Sequence, residues 1–160
     1  MESSLLSILS DLCSNEIEMV LVGGLAAVLQ GTPIQTYGVD IVFSQEEGNV
    51  SRLLKALESL DAVFRIQPTR RLRPNNSHLR GDGHLNLLTK HGPLDLLTCL
   101  GENLRYRNLL PVSKPMQIGS GLSINVLTLP ALIEIKERLG GEKDLAMLPL
   151  LRRTLSQSGS

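Results

Sequence analysis

Aromatic residues are nearly missing from this chain: its 160 residues include no Trp, two Tyr and two Phe. Proteins that hold single-stranded nucleic acid without sequence preference stack successive bases on aromatic rings, so that mode of binding is disfavoured. Net charge is missing too, with 16 basic and 16 acidic residues. No global field therefore draws the chain to a polyanion or an anionic membrane, although a local patch can still do so. Two cysteines, Cys13 and Cys99, lie in apolar surroundings without Cys-x-x-Cys spacing, which argues against a disulfide framework or a thiolate zinc site. No apolar run approaches the length of a membrane span, and Met1-Glu2-Ser3-Ser4 has neither a basic region nor an apolar core that would mark a leader. We therefore expect a cytoplasmic protein that does not engage membranes, with residues 1–155 as one domain and 156–160 as a disordered tail.

What is present is organised around residues 17–43. The run Ile17 to Val22 is rich in β-branched residues and stops at Gly23-Gly24; Leu25 to Leu29 then favour a helix ending near Gly31. A strand that enters a helix through two glycines exposes backbone N–H groups and lets a phosphate approach without a Cβ in the way. Thr36 to Phe43 reads as a second strand. Alternation places Tyr37, Val39, Ile41 and Phe43 on a core face, and Thr36, Gly38, Asp40 and Val42 on the other. Asp40 thus comes near the glycine turn, and a carboxylate beside a phosphate site calls for a divalent cation between them.

The rest of the chain reads as an α/β layer arrangement. A Ser-capped helix is expected over 3–13, closed by Asn15, and another over 50–60 capped by Asn49, followed by a short strand at 63–66. Residues 67–83 carry Arg70, Arg71, Arg73 and Arg80, and their Pro and Asn content predicts a long irregular loop. Those arginines read either as ordinary solvated charges or as forks for a nucleotide's phosphates or an RNA acceptor. His84–Leu88 and Pro93–Leu97 predict a hairpin. Asp95 within it is an ionisable group in an apolar run, which requires a partner, either a metal or one of the loop arginines. A short helix near Tyr106 and Leu109, a hairpin over 115–126 and a helix from Pro130 to Leu139 follow. Lys136 lies on the apolar stripe of that helix, as a snorkelling lysine or a functional one. A last helix starts at Glu142 and should kink or restart at Pro149.

Gly23-Gly24, a small-residue helix, then Thr36-x-x-x-Asp40-Ile41 on a strand resembles the nucleotidyltransferase superfamily, with its polymerase-beta-like fold. The likeness is greatest to small bacterial members related to abortive-infection and toxin–antitoxin nucleotidyltransferases. Gly92-Pro93-Leu94-Asp95-Leu96-Leu97 is similar to the family's third-carboxylate strand, and Lys136 with Lys143-Asp144 to its C-terminal pattern. The resemblance implies a mixed sheet flanked by helices with two helices at the C-terminus. It implies catalytic and Mg²⁺-binding roles for Asp40 and Asp95, and nucleotide binding by Gly23, Gly24, Thr36, Lys136, Lys143 and Asp144. The reaction implied is transfer of a nucleoside monophosphate from a nucleoside triphosphate to a hydroxyl on RNA, protein or a small molecule. The family carries Asp-x-Asp where this chain has Gly38-Val39-Asp40, so one metal-binding carboxylate is missing. That departure equally fits a catalytically inactive member that binds nucleotide or a partner protein.

Overall fold

The computed structural model describes residues 2–119 and 121–158. Its centre is a seven-stranded mixed sheet in the order β3-β4-β5-β2-β1-β7-β6. The strands are β1 (Met19–Val22), β2 (Val39–Phe43), β3 (Val63–Phe64), β4 (His84–Thr89), β5 (Gly92–Leu97), β6 (Ser113–Gly119) and β7 (Leu122–Leu127). The helices are α1 (Glu2–Ser14), α2 (Gly23–Leu29), α3 (Glu47–Ser59), α4 (Asn76–Arg80), α5 (Tyr106–Leu109), α6 (Leu129–Leu139) and α7 (Glu142–Ser158).

The two central strands are apolar on both faces, and all four residues of β1 are buried. In β2 only Asp40 is not fully buried. Strands covered on both sides need helices on both sides. Helix α1 packs on β2, β5, β6 and β7 and touches α3, whereas α2 packs on β1 and β2 and touches α6, which pairs with α7. The expected hairpins form: β4 and β5 pair from His84↔Leu97 to Thr89↔Gly92, and β6 pairs with β7. Thr89 closes the first of these turns, donating from its hydroxyl to the Gly92 carbonyl at 2.8 Å and accepting from the His91 N–H at 3.1 Å.

Several expectations are corrected. Ser3 and Ser4 lie inside α1 rather than capping it. Strand β2 begins at Val39, so Tyr37 lies outside it and is 63% exposed instead of facing the core. Asn49 sits in the first turn of α3 rather than capping it. Its buried amide donates to the carbonyls of Glu18 and Ser44 and accepts from the Glu18 N–H, tying the helix to the start of β1. The stretch 67–83 is not wholly irregular: Pro68–Arg70 forms a 3₁₀ turn, and Asn75 caps α4 by accepting from the His78 N–H while His78 Nδ1 accepts from the Asn75 N–H. Helix α7 runs through Pro149 to Ser158, so residues 156–158 are helical, while Gly159 and Ser160 lie outside the described residues. Pro149 removes one N–H, and the carbonyl it would have engaged belongs to Leu145, which is exposed, so water can take its place.

Candidate functional site

The parallel pairing of β2 with β5 places Asp40 directly opposite Asp95. The antiparallel pairing of β1 with β2 places Val22, the residue before the glycine turn, on the other side of Asp40. Both acids therefore meet where β1 gives way to α2. This juxtaposition needs a non-local strand pairing, which local periodicity does not show; only the family resemblance implied a shared role for the two acids.

The glycines at that turn are required by what touches them. Gly23 has a φ of +73°, and a Cβ built on it would lie 2.5 Å from Asp40 Oδ2. A Cβ on Gly24 would lie 3.1 Å from Thr36 Oγ1, and the Thr36 hydroxyl in turn donates to the Gly38 carbonyl at 3.3 Å. Both glycines thus admit the protein's own Asp40 and Thr36 to the main chain. The two acids interact closely. Burial, a hydrogen bond with Asp95 and the charge of Asp95 push the Asp40 carboxyl up to about 7, against the opposing pull of Arg65 and Lys136.

Asp95 has its partner. Arg65 Nη2 donates to Asp95 Oδ1 at 2.7 Å, and its Nη1 donates to the Leu87 carbonyl at 2.9 Å. The expected alternatives for this acid were a metal or an arginine from the 70–80 loop; the arginine is instead Arg65, just beyond β3. Arg71 and Arg73 of that loop both grip Asp61 at 2.6 Å, away from the two acids, and hold its carboxyl below the usual carboxylate range. Arg65 fell within the strand expected over 63–66, but β3 ends at Phe64 and nothing local pointed to a partner two strands away. The one available signal was parity, since Arg65 is two residues from the buried Val63 and so shares its face of the strand.

A cavity of about 220 Å³ opens beside Asp40, walled by Gly23, Leu97, Leu127, Leu132, Lys136 and Asp144 among others. Lys136 Nζ lies 3.3 Å from Asp144 Oδ1, so α6 and α7 are joined across this wall and Lys136 is not merely a snorkelling residue. Lys143 is exposed and does not line the cavity. A larger hollow of about 570 Å³ lies at the opposite end of the same strands, beside Phe43, Thr98 and Tyr106. Size alone favours it, but the smaller cavity is where the paired acids, the glycine turn and a lysine converge, and chemistry decides the choice.

Gly38 faces Pro93 across the β2–β5 pair. A Cβ there would lie 3.0 Å from both the Pro93 Cβ and the Pro93 carbonyl oxygen, so the position has little room for a side chain. Among the described residues no three His, Cys, Asp or Glu side chains come together as a metal site. Two hard oxygen ligands fit one Mg²⁺, an ion that keeps several of its waters, and do not fit a pair of metal ions. Among the described residues no helix is long and apolar enough to cross a membrane. No family model matches the chain, and no curated protein matches it.

Proposed function

We propose that the chain is a nucleotidyltransferase-like protein that binds a nucleoside triphosphate with one Mg²⁺ at the Asp40–Asp95 pair. The observation that carries this reading is the register of β2 against β5, which sets the two acids side by side next to the Gly23-Gly24 turn. Asp40 and Asp95 would hold the ion, Lys136 would offset phosphate charge inside the cavity, and Lys143 would do so from the solvent side. Mg²⁺ bound there supplies neutralisation of the charge that develops on the phosphates. In transfer, an acceptor hydroxyl oxygen bonds to the α-phosphorus, the bond from that phosphorus to the leaving oxygen breaks, and pyrophosphate departs. The hydroxyl proton would pass to the acid pair, with Asp95 helping to activate the acceptor. Of the exposed arginines in the 67–83 segment, Arg70 and Arg80, which do not share the Asp61 pairing of Arg71 and Arg73, are the candidate contact for an RNA or protein acceptor.

A second reading has its own support in the Gly38–Pro93 packing. Under it the protein keeps nucleotide binding and has lost efficient transfer, and acts as a binding or protein-interaction module, for instance as one half of a two-component system.

Calorimetric titration of ATP, CTP, GTP and UTP with Mg²⁺, on the natural chain and on a variant carrying both Asp40→Asn and Asp95→Asn, tests the shared premise. We expect micromolar binding of at least one nucleotide, weakened about tenfold or more in the double variant. Absence of binding by the natural chain would sink the nucleotide reading. Incorporation of labelled nucleotide into an acceptor, or its absence, then separates the active protein from the inactive one.

A further inference from the structure

Strand registers align four residues in one row across the sheet. The Arg65 N–H donates to the Asn86 carbonyl at 2.9 Å, Asn86 is opposite Asp95, and Asp95 is opposite Asp40. The row ends in a cation at the sheet edge and a carboxylate pair near its centre. Arg65 spans the intervening strand to reach Asp95, and its guanidinium is held at two points, by the Asp95 carboxylate and by the Leu87 carbonyl. A fork held at both prongs keeps its charge in place, unlike a solvated surface arginine.

Resting on the proposed reading of the acid pair, we infer that Arg65 is a built-in counter-cation that competes with a divalent metal for Asp95 and so sets the metal affinity of the site. The chain carries two acids where the resemblance implies three, and one of the two is already occupied by a positive charge of the protein's own. A divalent ion approaching Asp95 must either displace the guanidinium from that carboxylate or sit close to it, and both lower its affinity. Arg65 acts through Asp95 and is therefore a positioning residue. The prediction runs against the usual expectation for a site residue, because removing Arg65 should strengthen a binding event.

The probe is Mn²⁺ alone, with free ion read by electron paramagnetic resonance, on the full chain and on Arg65→Gln and Arg65→Lys. The Arg65 side chain is 36% exposed at the sheet edge, so both substitutions are compatible with folding, which a circular-dichroism melt verifies. We expect Arg65→Gln to bind Mn²⁺ about tenfold more tightly than the natural chain, and Arg65→Lys, which keeps the charge, to change affinity less than about threefold. Equal affinity in Arg65→Gln and the natural chain would overturn the competition while leaving the metal-site reading standing. Equal tightening by Gln and Lys would overturn it as well, because the effect would then not depend on charge. Failure of all three proteins to bind Mn²⁺ would overturn both the competition and the metal-site reading.

Discussion

The two halves of the sheet solve different problems. Strands β1 and β2 are buried on both faces, whereas β4 and β5 alternate: Leu87, Leu94 and Leu96 are fully buried, while His84 and Asn86 on the other face are exposed. Asp40 and Asp95 sit at the boundary, on the last strand covered by α2 and the first strand left partly open. A carboxylate placed one strand further in would be unsolvated, and one further out would have an ordinary surface environment. The boundary is where an acid can be perturbed and still be reached by a ligand.

The largest expected effect breaks the central half. Ile41 is 0% exposed on β2, and Ile41→Ala should cost about 3 to 4 kcal/mol in urea unfolding, for lost burial plus the cavity left behind. Asn86→Ala on the exposed face of β4 should stay within about 0.5 kcal/mol. Equal costs would mean that the two halves are not differently covered.

Gly23→Ala should come next, at about 2 to 3 kcal/mol, since the new Cβ needs both a left-handed backbone and the space held by Asp40 Oδ2. Nucleotide binding should fall with it. A fully stable Gly23→Ala protein would show that the turn relaxes freely and that Asp40 is not held against it.

The boundary carboxylate gives the pH dependence. Asp40 has a folded-state value of about 7 against its ordinary 3.8, so between those values the folded chain holds a proton that the unfolded chain has released. Stability conferred by this group is therefore present at low pH and is lost as pH rises from about 4 to about 7. Asp40→Asn should match the natural chain near pH 4 and be more stable by about 2 kcal/mol at pH 8, read from urea midpoints at both pH values. An unchanged difference between the two pH values would remove the perturbed acid from the site.

Local patterns and long-range pairings were not equally legible. The unit from Met19 to Phe43, the β4–β5 hairpin and the two C-terminal helices are visible in periodicity and turn residues, because each is settled by neighbours in the chain. The candidacy of Asp40, Asp95 and Lys136 was visible for the same reason: each is a charged residue in an apolar pattern. Arg65 and Pro93 were not visible, since their roles depend on β3 pairing with β4 and on β2 pairing with β5, contacts between segments distant in sequence. Within the conspicuous arginine run, the pairing of Arg71 and Arg73 with the nearby Asp61 was likewise not foreseen. The Asn75 cap of α4 was a missed local signal, outweighed by the Pro and Asn content around it.

The smallest effect sharpens the comparison most, because it asks whether the missing acid could be put back. Gly38 has no left-handed backbone requirement, so the penalty for a side chain there is set by Pro93 alone, 3.0 Å from the would-be Cβ. Gly38→Ala should cost about 1 kcal/mol, the scale of a tight but yielding contact. Gly38→Asp meets the same obstacle and adds a negative charge on the face of Asp40 and Asp95. It should be at least as costly without metal, and its melting temperature should respond to Mg²⁺ no more than that of the natural chain. Under that outcome the Gly38–Pro93 contact belongs to a site shaped around two acids. A larger Mg²⁺-dependent rise for Gly38→Asp than for Gly38→Ala would mean that the β2–β5 edge yields and that one substitution rebuilds a three-carboxylate centre. The boundary between the halves would then be a two-metal site lacking a single side chain.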